Sequence, residues 1–295
     1  MLFASDDSRT VRAASTRRDF LIITADDFGV RESVNEAVEV ATRRGVLTAA
    51  SLMVGAPAAA DAVVRARRLP QLRVGLHLVL VDGTAILERA QIPLLVDDSG
   101  RFGNHMVLDA FRFVFSPSMR RQLASEIRAQ FKAFAATGLQ LDHVNAHKHF
   151  HLHPTLLRLI VEVGREFGMQ AIRWPREPLL DYEHVSGIGQ AMQHAGLSPW
   201  LTLMRRRIER AGLLHNDWLF GMTASGHMDT RALLRILQRL PNGITEIYSH
   251  PAIRSDDAEE ELAALISRRV RASVRGAFIA RGGYSDAVRR QRARP

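Results

Sequence analysis

Histidine is crowded into one short stretch of this chain. In "LDHVNAHKHFHLHP" (141–154), five of the 12 histidines fall between His143 and His153, and His147, His149, His151 and His153 alternate with other residues. Three further stretches carry groups of the same chemical kind. "TADDFG" sets Asp26 beside Asp27, "GLHL" holds His77, and "YSHP" ends in His250. There is no cysteine, so any metal must be held by oxygen and imidazole nitrogen. One carboxylate and two imidazoles make a three-point face that leaves positions open for water and substrate. An ion held there brings the pKa of its water down to about 7. A second carboxylate can then act as general base, and a histidine opposite can protonate a leaving amine. Taken singly, each group has a plainer reading. The Asp26–Asp27 pair could cap the helix that follows, His77 could be a core histidine bonded to a carbonyl, and His250 could be a turn residue before Pro251.

The surrounding pattern must bring these residues together. Short apolar runs alternate with amphipathic segments along the chain. "FLIITA", "LTAASLMVG", "LRVGLHLVL", "LQLDHVNAH", "MQAIRWP", "DWLFGM" and "GITEIYSH" read as strands. Helices are expected between them, including one over 117–138, a basic one near 198–211 and one over about 255–273. Segment 82–106 reads as a long polar loop. Strand followed by helix, about seven times over, implies parallel strands with right-handed crossovers, as an open doubly wound sheet or a closed barrel. In both, the active site lies at the carboxyl ends of the strands. The four histidine- and aspartate-bearing stretches sit at such ends. No glycine-rich dinucleotide turn follows the first strand.

The 295 residues suffice for one large domain, and no apolar run approaches the roughly 20 residues of a membrane span. Residues 1–18 are expected to be a flexible leader, 19–284 the folded domain, and 285–295 a loose basic tail. The net charge is +9, nearly all from arginine, since Lys132 and Lys148 are the only lysines. Such a balance suits an anionic partner or simply an arginine-rich composition. Without an RNA-reading aromatic motif or zinc knuckle, nucleic acid is not expected as a partner.

In order and spacing, "TADDFG", "GLHL", the spaced histidine cluster followed by proline, and "SHP" resemble the YdjC-like carbohydrate deacetylases, over about Asp19 to Tyr284. "LTAASLMVGAPAAADAV", "LDHVNAHKHFHLHPT" and "IRWPREP" are similar to the branch of that family associated with hopanoid biosynthesis. The resemblance implies a distorted TIM-like (β/α) barrel of parallel strands, about seven of them, and one divalent metal ion, Zn2+ or Mg2+. It implies Asp27, His77 and His147 as metal ligands and Asp26 as general base. His250 is the candidate general acid. His149 and His151 are candidates for contact with substrate or for supporting the ligands by fixing imidazole tautomers, Arg173 is a candidate for contact with substrate with a strand-end salt bridge as its plainer role, and His153 reads as a capping or surface residue. The implied reaction is removal of an N-acetyl group from an amino sugar, lipid-linked on a hopanoid or, as the alternative, on a soluble chitooligosaccharide. A metal phosphoesterase and a non-catalytic lipid-pathway partner are the other classes to be separated. A lipid-linked substrate implies a cytoplasmic protein in peripheral contact with an anionic membrane surface. "LSPWLTLMRRRIERAGLL" is the candidate docking segment, with Trp200, Leu201, Leu203 and Met204 beside Arg205, Arg206 and Arg207, its plainer reading being an amphipathic helix packed on its own sheet with arginines to water, and "FRFVF" (111–115) is a second candidate. Monomer and homodimer are both left open.

Overall fold

The computed structural model describes residues 20–104, 116–178, 187–254, 256–277 and 279–293. The expected leader and "FRFVF" lie outside these residues. The elements run β1 (Phe20–Phe28), α1 (Glu32–Arg44), β2 (Ala49–Leu52), α2 (Ala59–Arg67), β3 (Arg73–Leu78), α3 (Pro117–Ala136) and β4 (Val144–Ala146). A 3-10 turn (His147–Leu152) leads into α4 (Pro154–Glu166), α5 (Gly187–Arg210), β5 (Trp218–Phe220), α6 (Thr230–Leu237) and β6 (Ile244–Ser249). The chain ends through α7 (Asp256–Ile266), α8 (Arg268–Gly276), β7 (Ala280–Arg281) and α9 (Tyr284–Arg292).

The strands lie in the order β4-β3-β2-β1-β6-β5, with β7 added against β1. All the pairings are parallel. Parallel bridges from Val144 to Ile172 and from Ala171 to Leu214 carry the sheet past β4, and the chain from Leu214 runs on into β5. The sheet therefore curls round on itself, with helices outside, as a distorted TIM-like barrel. The expected strand "MQAIRWP" is reduced to the two bridging residues Ala171 and Ile172. The expected helix over 255–273 is two helices, broken at Ser267.

Alternation along each strand decides what faces where. On β1, Leu21, Ile23 and Ala25 join the core beneath the helices. Phe20 and Ile22 face the other way, into a separate cluster with Ala49, Ala171, Leu214 and Ile244. Tyr284, Ala287 and Val288 of α9 close that cluster, at the foot of the barrel. The basic tail is thus not loose up to Arg292. A stripe at i, i+3 and i+4 gives it an apolar face to bury, and the Asp142 carboxylate accepts hydrogen bonds from the backbone N–H groups of Tyr284 and Ser285 at its first turn.

α5 takes the plainer of the two readings of the candidate docking segment. Leu201, Met204 and Ile208 are buried in the core, and Trp200 packs against it, its indole N–H donating to the Leu152 carbonyl. Of the apolar residues expected to enter a lipid headgroup layer, only Leu203 is exposed. The helix uses its apolar stripe on its own barrel and turns Arg206, Arg207 and Arg210 to water. Among the described residues, no helix is long and apolar enough to cross a membrane.

Candidate metal and catalytic site

Asp26 and Asp27 are neighbours in sequence but serve different faces. The β1–β2 register slips between Ala25 and Phe28, and Asp27 takes a left-handed backbone with φ +59°. Aspartate is one of the few residues that tolerates this conformation. The kink turns Asp26 into the barrel, where it is buried, and leaves Asp27 at the rim. Lys148 and His149, φ +52° and +53°, are left-handed in succession at the start of the turn after β4. Three strained non-glycine residues therefore lie beside the candidate ligands, where such strain commonly collects.

Asp27, His77 and His147 come together. One ligand atom from each lies within 4.8 Å of the other two. Asp27 Oδ1 is 3.3 Å from His77 Nε2 and 3.2 Å from His147 Nδ1. Bonds of 2.0–2.2 Å to a common ion place ligand atoms roughly 3.3 Å apart around a tetrahedron. Asp27 Oδ1 is buried and accepts no regular hydrogen bond. At His77, Nδ1 lies 2.6 Å from Asn145 Oδ1, an atom that can only accept, so Nδ1 carries the proton and Nε2 is bare. A carboxylate oxygen and a bare imidazole nitrogen facing each other need a cation between them. These residues fit a divalent ion. Burial works against the Asp27 charge, but contacts with His147 and His77 hold its carboxyl well below the usual range.

Asp26 lies beside this group in a different setting. Arg173, fully buried, donates to it from Nη1 at 2.5 Å and Nη2 at 3.0 Å, and to Glu246 from Nε at 2.9 Å and Nη2 at 2.8 Å. Glu246 also accepts from Thr24 Oγ1 and Tyr284 Oη. Burial would raise the Asp26 pKa, but Arg173 foremost, then His77, outweighs it and keeps the group ionised. Burial likewise opposes the Arg173 charge, and Asp26 and Glu246 hold it in place. In this structure Arg173 touches carboxylates rather than an open cleft. Both edges of its guanidinium are engaged in full burial, which is the plainer, ion-paired reading of this residue.

His151 is buried with Nε2 on the Arg173 carbonyl, and burial foremost takes its pKa down to about 3. It supports the strand end carrying Arg173, from full burial. His149 is half-buried, its Nε2 2.9 Å from the Tyr248 hydroxyl, and burial and Arg173 hold it neutral. His250 is half-buried at the end of β6, its ring 5.6 Å from that of Tyr248. Its backbone N–H donates to the buried Glu261 carboxylate, which also holds the Met228 N–H. The site thus unites Asp26, Asp27, His77 and His147, with His149 and His250 nearby through Tyr248.

Asn145, Glu246, Tyr248 and Ser51 were not singled out by sequence. The signal was available, because each lies two residues from a recognised group or another inward residue on its strand: Asn145 before His147, Tyr248 before His250, Glu246 before Tyr248. On a barrel strand, period two marks the residues sharing the interior.

Comparison with known proteins agrees with this geometry. The family model described as "YdjC-like protein" matches residues 20–276. A protein named carbohydrate deacetylase from Brevibacillus brevis is 36% identical over 79% of this chain and 81% of its own. One of the same name from Thermoanaerobacter pseudethanolicus is 26% identical over 81% and 83%. Among solved structures, a candidate cellobiose-phosphate cleavage protein of Enterococcus faecalis V583 superposes with a TM-score of 0.71, at 22% identity, covering 91% of this chain and 98% of that one. The Xyl-CE4 domain of a xylanase from the hindgut metagenome of Trinervitermes trinervoides shares the fold at TM-score 0.50 and 8% identity, over 94% and 93%. With the family model spanning most of the chain, this protein belongs to the YdjC-like family.

Proposed function

We propose that the protein is a metal-dependent hydrolase that removes the N-acetyl group from an amino sugar. The observation that carries this reading is the convergence of Asp27, His77 and His147 with the ionised Asp26 alongside. Relatives named carbohydrate deacetylases support the reaction class. Asp27, His77 and His147 would hold the ion, which when bound supplies an acidified water and polarises the acetyl carbonyl. Asp26 takes the proton of the attacking water. Its low pKa keeps it in the accepting form at neutral pH, and Arg173 fixes its direction. His250 protonates the departing amine, and acetate leaves. In this reading His149 and the Tyr248 hydroxyl, 2.9 Å apart, line the substrate side of the site.

The finer substrate we infer is an N-acetylglucosaminyl hopanoid, supported by the likeness of "LTAASLMVGAPAAADAV" and "IRWPREP" to that branch of the family. Peripheral contact with an anionic membrane belongs to this proposal, through Arg206, Arg207 and Arg210 rather than an inserted apolar face. The deciding experiment measures acetate from purified protein given the lipid-linked sugar or chitobiose, with and without chelator. Acetate from the lipid alone supports the hopanoid substrate, and acetate from chitobiose alone moves the substrate to soluble oligosaccharides. No acetate from either, with phosphate ester hydrolysis and two ions bound per chain, would replace the deacetylase with a phosphoesterase. Only one three-residue metal group occurs among the described residues, which favours the single-ion reading.

A further inference from the structure

A second set of buried polar groups lies behind the candidate metal site. Ser51 Oγ is 3.0 Å from His143 Nε2, and His143 Nδ1 is 2.9 Å from Asp142 Oδ2. All three residues are buried, with Ser51 and His143 at 0% exposure, so this serine–histidine–aspartate row meets no substrate. It meets Asn145, whose amide nitrogen lies 3.0 Å from Ser51 Oγ and 3.1 Å from Asp26 Oδ1. The amide oxygen of Asn145 faces His77 Nδ1 at 2.6 Å.

We infer that Asp142, His143 and Ser51 are positioning residues that lock the Asn145 amide in one rotation, and so fix which nitrogen of His77 is bare for metal. The inference rests on the proposed metal site and adds what sets its tautomer. Each link allows only one direction. Asp142 accepts from the Tyr284 and Ser285 N–H groups, and its remaining capacity faces His143, which must donate from Nδ1. With the single ring proton on Nδ1, Nε2 of His143 accepts, and the Ser51 hydroxyl donates its only proton there. Ser51 Oγ is left able only to accept, which selects the NH2 end of Asn145. The Asp26 carboxylate, also an acceptor, selects the same rotation. The Asn145 oxygen is thereby turned to His77, which donates from Nδ1 and presents a bare Nε2 to Asp27 and the ion. Were the amide turned over, its NH2 would meet His77 Nδ1, the proton would sit on Nε2, and the ligand lone pair would be lost.

The space for this row is built in. A Cβ on Gly75 would lie 2.5 Å from His143 ring atoms, although Gly75 has no left-handed backbone to explain a glycine. The Tyr284 ring covers His143 with centroids 5.1 Å apart. The imidazole therefore has one seat, and the first turn of α9 both caps Asp142 and encloses it.

The test reads the His77 tautomer directly, by imidazole nitrogen NMR on metal-free protein, together with zinc titration. Wild type should show His77 protonated on Nδ1. Ser51→Ala should populate the Nε2–H form and bind zinc about 10- to 100-fold more weakly, the usual cost of losing an outer partner of a metal ligand. Ser51→Thr, which keeps the hydroxyl, should restore both. A folded Ser51→Ala with unchanged tautomer and zinc affinity would overturn the inference. So would an Nε2–H tautomer in wild type, a result that needs no variant to fold. Absence of zinc binding by wild type would instead remove the proposed function, while the tautomer measurement still decides the role of the row.

Discussion

At the foot of the barrel, Phe20, Ile22, Ala49, Ala171, Leu214 and Ile244 meet the apolar stripe of α9. Two residues further along the same strands, the interior consists of Thr24, Asp26, Ser51, Arg173 and Glu246, just as deeply buried. The foot is held by removal of apolar surface from water, a non-directional effect of about 1.5–3 kcal/mol for each large side chain. The head is held by directed hydrogen bonds between charges, which largely repay their own desolvation and add little net stability. The head is therefore retained for orientation and the foot for stability. The two ends of one interior should respond differently to mutation.

The largest separation is expected from the ligands. Asp27→Ala, His77→Ala and His147→Ala should each abolish zinc binding and acetate release together, while the apo protein keeps a cooperative thermal transition. Full zinc occupancy in His147→Ala, measured by metal analysis, would move that ligand to His149.

Arg173→Leu comes next. It leaves Asp26 and Glu246 buried without their cation, and breaking such a pair costs about 3–5 kcal/mol. Chemical denaturation should show this loss. If Arg173→Leu unfolds at the wild-type denaturant midpoint, the head is not the directed network described. Asp26→Asn should be milder for the fold, because Glu246 still pairs with Arg173. It should keep its zinc yet lose about 100-fold or more in kcat, as removal of a general base does. A near-normal kcat would assign the proton to another group.

The foot predicts the reverse pattern. Ile22→Val removes one methylene from a fully buried site and should cost about 1 kcal/mol of stability. Zinc affinity and kcat should stay at wild-type values, and a shift in either would mean that foot and head are mechanically coupled through β1.

This division also explains what was legible in the sequence. Parallel strands and the stretches that carry the chemistry could be read, because apolar runs and isolated histidines stand out locally, whereas the choice of Asp27, His77 and His147 came from the family resemblance. Period two could have placed Ser51, Asn145 and Glu246 on the inward face, but not the groups they meet, which depend on which strands become neighbours. Ser51 meets His143 across 92 positions, and Thr24 meets Glu246 across 222. α5 left two readings open for a related reason. Its apolar stripe is the same whether it faces a membrane or its own barrel, and Leu201 and Met204 chose the barrel. The tail was misjudged because nine residues rich in arginine hide the three that pack, Tyr284, Ala287 and Val288.

The smallest effect concerns pH and again divides head from foot. His151 is buried neutral, with burial foremost lowering its pKa from the ordinary 6.5 to about 3. Above 6.5 it is neutral in both folded and unfolded chains and contributes nothing to the pH dependence. As pH falls below 6.5, the unfolded chain takes up a proton that the folded chain refuses, so stability falls and goes on falling until about pH 3. Between pH 7.5 and 6 this one group costs about 0.8 kcal/mol. The carboxyls of Asp26, Asp142 and Glu246 are shifted down. Their stabilisation is present above the unfolded carboxylate range near pH 4 and is lost only below it, so they are silent in this window. Thermal melts of metal-free protein should therefore weaken from pH 7.5 to 6. His151→Gln, which keeps a donor for the Arg173 carbonyl but cannot titrate, should melt with a flatter pH dependence. Ile22→Val should lower the whole curve without changing its slope. If His151→Gln retains the full wild-type slope, the acid sensitivity arises elsewhere, and His149, half-buried and held neutral beside Tyr248, is the next group to replace.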